Sequence, residues 1–127
     1  MTKEFLTAPI IIYYIILYYI ILYYIIMKER IIKFEKGPFP KKYTAFIKNK
    51  KTGSTRKIHF GDSRYQQYRD RTPLKLYSKK NHGTRKRMQN YFSRHSGTKN
   101  RTFAIKHEKK KSKGYYNAKI LSHEYLW

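Results

Sequence analysis

"KYTAFIKNKKTGSTRKIHF", residues 42–60, decides the fold. Tyr43, Ala45 and Ile47 alternate with Thr44, Phe46 and Lys48. After a turn rich in Asn, Lys, Thr and Gly, Arg56, Ile58 and Phe60 alternate with Thr55, Lys57 and His59. A period of two is that of a strand with one face turned to a core. Two such runs joined by a glycine-containing turn predict a β-hairpin. Gly53 suits the turn position that needs a positive φ.

Downstream, "GDSRYQQYRD" (61–70) opens on Asp62, a good N-cap, and predicts a short helix through Tyr68. Pro73 stops it, and "PLKLYSKKNHG" (73–83) is loop-like. "TRKRMQNYFSRHSG" (84–97) is the strongest helix pattern in the chain. Met88, Tyr91, Phe92 and His95 fall at i, i+3, i+4 and i+7, one face of a helix. Arg85, Lys86, Arg87 and Arg94 lie largely off that face, and Gly97 stands where a C′ glycine belongs. A further helix is expected over Thr102 to Lys111. The closing "KGYYNAKILSHEYLW" (113–127) is aromatic and apolar, so Trp127 is expected to pack back on the core.

Upstream, the two prolines and the glycine of "KGPFPKK" (36–42) mark residues 28–40 as a linker. The expected organisation is an apolar segment over 1–27, the linker, and a basic domain over 41–127. The fold class is α+β: a small single domain with an N-terminal hairpin and two or three short helices, preceded by an apolar helix-like segment.

The 127 residues carry a formal charge of +23, from 30 Lys and Arg against 7 acids. Residues 1–27 hold only Lys3 and Glu4, which cancel, so the rest of the chain carries the whole excess. Such self-repulsion calls for a polyanion, nucleic acid first and an anionic surface second. The aromatic content of the basic part argues against disorder. Cysteine is absent, which excludes disulfides and thiolate-ligated metal sites.

"YYIILYYIILYYIIM" (13–27) repeats five residues three times. Uncharged from Pro9 to Met27 and followed by Lys28, Arg30 and Lys33, it fits a single-span anchor with the C-terminal part on the cytoplasmic side. Evenly spread tyrosines and a period matching neither 3.6 nor 2 speak against that. Tyr, Ile and Leu can be encoded with A and T alone, so the block also reads as a tandem repeat in A/T-rich DNA. On that reading translation starts at Met27, the expectation we favour.

Chemistry is thinly represented. His59 with Asp62, His82 and His95 invite a metal or nuclease reading, but no HxxxH or HxxEH spacing is present. Asp62 and Asp70 are the only aspartates, few for holding catalytic Mg²⁺. "KTGST" (51–55) reads better as a hairpin turn than as a phosphate loop. The expectation is no enzyme, no metal and no cofactor.

Binding is better represented. In "RYQQYRDR" and "RKRMQNYFSRH", Lys and Arg interleave with Tyr and Phe. Cations neutralise phosphates, and exposed aromatics stack on unpaired bases. Arg56, Lys57, Arg64, Arg69, Arg71, Arg85, Lys86, Arg87 and Arg94 are the candidate nucleic-acid contacts. Tyr91 and Phe92, on the helix stripe, read as core; Tyr65 and Tyr68 fit either role. Nothing marks a base-reading code, so binding independent of sequence is expected.

"RKIHFGD", "YQQYRD", "TPLKLYS", "NYFSRHSG" and "YNAKILSHEYLW" resemble a family of short basic proteins encoded by giant double-stranded DNA viruses of algae and protists. The likeness runs from about Lys41 to Trp127. The skeleton "FGD … RHSG … W" is also similar to small proteins of large tailed phages. The resemblance implies a viral origin and the domain limits, and carries over no catalytic residues. In that family a repeat like Tyr13–Met27 is not part of the pattern. The expected partner is therefore nucleic acid, with DNA favoured, or acidic virion proteins, in the virion or the host cell interior. A membrane enters only if residues 10–27 are translated. The alternative is a minor capsid or membrane-anchored structural virion protein that does not touch nucleic acid.

Overall fold

The expected hairpin forms. A computed structural model describes residues 8–127, with the backbone alone for residues 22–26. The alternating runs are β2 (Lys41–Asn49) and β3 (Thr55–Asp62), paired antiparallel with Tyr43 opposite Phe60 and Ala45 opposite Ile58. In the turn between them the Asn49 side-chain oxygen accepts the N–H groups of Lys51 and Thr52 at 2.9 and 3.0 Å. Gly53 there has the expected positive φ, 74°.

Residues 28–40, expected as a linker, instead hold a strand. β1 (Glu29–Lys36) pairs antiparallel with β2, giving a three-stranded sheet in the order β1-β2-β3. The prolines that suggested a break shape the turn that joins the two strands. Lys41 N–H donates to the Pro38 carbonyl at 2.7 Å and Gly37 N–H to the Lys42 carbonyl at 2.9 Å. A Cβ on Gly37 would lie 2.9 Å from the Tyr43 backbone nitrogen, so only glycine fits this close approach. The hairpin is thus not N-terminal in the sheet; a third strand precedes it.

The apolar repeat lies in α1 (Ala8–Ile26), whose side chains from Ala8 to Ile21 are exposed. Among the described residues no helix is long and apolar enough to cross a membrane.

Three helices follow the sheet: α2 (Arg85–Ser96), α3 (Arg101–Lys111) and α4 (Ala118–Tyr125). Asn100 and Asn117 cap the last two, their side-chain oxygens accepting from Phe103 N–H and Ile120 N–H at 2.9 and 2.8 Å. Gly97 ends α2 in the left-handed region, as its position predicts. One sheet face, with Tyr43, Ala45, Ile47 and Phe60, packs on Leu121 and Leu126 of the C-terminal segment. Tyr91 and Phe92 pack on Ala104 in a second cluster. Trp127 touches both clusters and stacks on Tyr91, ring centroids 4.2 Å apart and planes 4° from parallel. The last residue therefore does pack back on the core, joining its two parts.

No helix follows Asp62. Its carboxylate accepts Arg64 N–H at 2.9 Å in a tight turn, and the chain stays irregular to a 3-10 turn at Ser78–Lys80. Gln67, Asp70 and Thr72 are all buried. Gln67 falls inside the expected helix, and its side chain is drawn instead to Lys42 of β2, the Tyr77 carbonyl and the Asn81 side chain. Tertiary demand overrides the capping signal.

Candidate nucleic-acid interface

The long segment between β3 and α2 is held by buried polar groups. Asp70 accepts the backbone N–H and hydroxyl of Thr72 at 3.0 and 2.7 Å, Tyr77 N–H at 3.1 Å, and the hydroxyl of Tyr43. The Tyr43 oxygen in turn accepts Leu76 N–H at 2.9 Å. Lys42, only 2 % exposed, donates to the Gln67 side-chain oxygen. Gln67 passes its own amide hydrogens to the Tyr77 carbonyl and the Asn81 side chain at 2.8 and 2.7 Å. Lys42 and Tyr43 are consecutive strand residues, so their side chains leave opposite faces. The two side chains nonetheless meet the same segment: the Lys42 ammonium and the Tyr43 ring lie 6.0 and 5.4 Å from the Tyr77 ring, and Asn81 joins Gln67 to the Asp70 N–H. Burial, then the charge of Lys80, pulls the Lys42 ammonium down to about 8; burial, then Asp70, pushes the Tyr43 hydroxyl up to about 12.

On this scaffold stands a basic, aromatic rim. Tyr65 is 65 % exposed, with the Arg64 guanidinium 5.9 Å from its ring. Arg69 and Arg71 lie 5.8 and 5.9 Å from the ring of Tyr68, itself half-buried against His82. Arg87 donates to Gln66 at 3.0 Å, which ties the first turn of α2 to the same rim. Arg94 follows Arg87 by seven residues, close to two helical turns, and so continues that stripe. Arg85, Lys86 and Arg87 crowd an N-terminal turn that holds no acid, and Thr84 makes no capping bond there. Cations at that end oppose the helix dipole, and a phosphate would relieve both effects.

The expected contacts are thus partly gathered. Arg64, Arg69, Arg71 and Arg87 share the rim, and Arg85, Lys86 and Arg94 extend it along α2, exposed and without an ion pair among the described residues. Arg64 is already paired with Asp62 at 2.7 Å, and burial, then Arg69, lowers the Arg71 pKa. Arg56 is elsewhere and engaged: its fork grips Glu29 at 2.7 and 2.8 Å and donates to the Tyr116 carbonyl at 2.6 Å. Lys57 lies on the outward face of the sheet. Of the aromatics left open, Tyr65 is available for stacking and Tyr68 mostly supports cations.

The described acids have no capacity left to absorb this charge. Glu29, Glu35, Asp62, Glu108 and Glu124 each sit in an ion pair, with Arg56, Lys33, Arg64, Lys119 and Lys109 respectively, and Asp70 is committed to the buried network.

A cluster that sequence pattern did not reveal joins the helices. His123, fully buried, meets the Tyr91 hydroxyl at 2.9 Å through Nδ1 and the Ser96 hydroxyl at 2.8 Å through Nε2. Ser96 donates to Glu108 at 3.1 Å. Burial holds the imidazole near a pKa of about 4. A neutral ring then accepts from Tyr91 and donates to Ser96, whose proton points at the carboxylate. The serine is a relay, with its base on the wrong side for nucleophilic attack. His59, Asp62, His82 and His95 do not converge, and among the described residues no group of three metal-binding side chains exists.

Comparison with protein-family profiles, curated proteins and solved structures finds no match.

Proposed function

We infer that this is a non-catalytic nucleic-acid-binding protein, DNA favoured, that acts without regard to sequence and is associated with the particle of a large DNA virus. The viral setting rests on the sequence resemblance. The binding role rests on one observation: exposed cations of the 64–71 segment and α2, interleaved with Tyr65 and Tyr68, surround a scaffold whose described acids are already committed. Phosphates are the ligand that such a surface favours. No base-reading geometry is needed, since phosphate contacts position without specifying.

Duplexes of unrelated sequence should bind the full chain with similar affinity. If six to ten phosphates are neutralised, affinity should fall by about 10³–10⁵ between 50 and 200 mM salt. Changing Arg85, Lys86, Arg87 and Arg94 to Gln should reduce the salt slope by about one for each phosphate no longer neutralised. A flat salt response, or no binding at low salt, overturns the proposal in favour of a purely structural role.

A further inference from the structure

The face of the sheet turned away from the core carries a separate arrangement. Lys33, Phe46 and Lys57 face one another across the three strands in a single rung. The two ammoniums lie 4.5 and 5.2 Å from the centroid of the half-buried Phe46 ring. The adjacent rung aligns Arg30 with Lys48. Among the described residues, the acid paired with a cation of this rung is Glu35, 3.0 Å from Lys33.

Cation–π attraction accounts for one ammonium resting on the ring. It does not account for a second ammonium on the same ring, nor for Arg30 standing directly opposite Lys48 on the next rung, since like charges opposed across paired strands destabilise a sheet. Inserted anions would remove that repulsion. A duplex could supply the anions, but its bases stay stacked inside and would leave Phe46 unused. A single strand brings phosphates and an unstacked base together, and stacking on an aromatic is tolerant of sequence.

We propose that the outward sheet face, centred on Phe46 between Lys33 and Lys57, binds single-stranded nucleic acid by stacking a base on the ring and seating the flanking phosphates on the lysines. This rests on the nucleic-acid reading for its ligand class only, since the surface is distinct from the α2 rim.

The test is binding of a fluorescent oligo-dT and of a duplex of equal length to the full chain at one salt concentration. Phe46→Ala should weaken oligo-dT about tenfold, a stacking loss of about 1.4 kcal/mol, and leave the duplex unchanged. Phe46→Leu keeps apolar bulk without an aromatic face and should behave like Ala. It decides the matter if the Ala variant unfolds, and Phe46→Trp should restore binding. The four-Gln variant of α2 should show the reverse pattern, losing duplex more than oligo-dT. Equal loss on both ligands, or oligo-dT binding untouched in the Leu variant, overturns the proposal. Wild-type protein that binds duplex but not oligo-dT overturns it while the general function stands. Failure on both ligands removes the general function.

Discussion

Two buried polar networks do different work in this molecule. The one at the start of β2 is built on ionised groups, Asp70 and the Lys42 ammonium, and clamps an irregular segment to the sheet. The one between the helices is built on a neutral imidazole, His123, and joins elements that apolar packing already holds. The irregular segment has little apolar anchorage of its own, so charge and hydrogen bonds must fix it. That segment also carries Arg64, Tyr65 and Arg69. The part of the molecule that is hardest to hold is therefore the part proposed to bind.

The largest effect should come from removing the carboxylate. Asp70→Ala leaves Tyr43, Thr72 and Tyr77 donors unpartnered beside a buried ammonium, a change that costs about 3–5 kcal/mol. Ser96→Ala in the helical network deletes one half-exposed hydroxyl, whose place beside the buried His123 and Glu108 water can take, and should cost about 1–2 kcal/mol. Denaturant unfolding compares the two. Hydrogen exchange should show amides over 63–83 losing protection in the Asp70 variant and little change there in the Ser96 variant. Equal costs would mean that the segment is held by packing and that the contrast is false.

The networks should also respond to opposite ends of the pH scale. His123 titrates near 6.5 when unfolded and near about 4 when folded. As pH falls below 6.5 the unfolded chain takes up a proton that the folded chain refuses. Stability therefore declines between 6.5 and 4, by about 3 kcal/mol in all. Lys42 behaves in the other direction: from about 8 upward the folded chain gives up a proton that the unfolded chain keeps to 10.5, so stability rises. Tyr43 reverses the gain above 10.0, because the unfolded tyrosine ionises before the folded one at about 12. Between pH 8 and 10 the gain is about 2–3 kcal/mol. Unfolding free energies from pH 4 to 10 should show His123→Gln without the acid slope and Lys42→Met without the alkaline one.

These contrasts explain what the sequence made legible. The hairpin and α2 were readable because their signals are local: alternation over 43–60, and Met88, Tyr91 and Phe92 at helical spacing before Gly97. β1 was not, because its pairing register slips between Ile31 and Lys33 and breaks the alternation of "ERIIKFEK", and because Pro38 and Pro40 signal a break that is in fact a turn. The missing helix after Asp62 has the same origin. Its cap signal is real but local, and Gln67, Asp70 and Thr72 answer to Lys42 and Tyr43 more than twenty residues away. Among the candidate contacts, the α2 cations followed from helix spacing. The engagement of Arg56 did not, since Glu29 meets it only once the three strands are in register. The Lys33–Phe46–Lys57 rung was hidden for the same reason: it needs all three strands at once.

The smallest effect sharpens the contrast between a surface arranged for stability and one arranged for a ligand. Arg85 and Lys86 occupy the first turn of α2, form no ion pair among the described residues, and stand against the positive end of the helix dipole. Like charge there costs about 0.3–1 kcal/mol per residue at low ionic strength, and Gln has nearly the same helix propensity as Arg or Lys. Changing both to Gln should therefore raise the melting temperature slightly at low salt, with the gain shrinking as salt screens the dipole. The same variant should bind duplex DNA more weakly. A small gain in stability paired with a loss of binding is the signature of cations kept for a polyanion. A loss of stability on neutralising them would instead show that their stems pack on the protein and that the α2 charges belong to the fold.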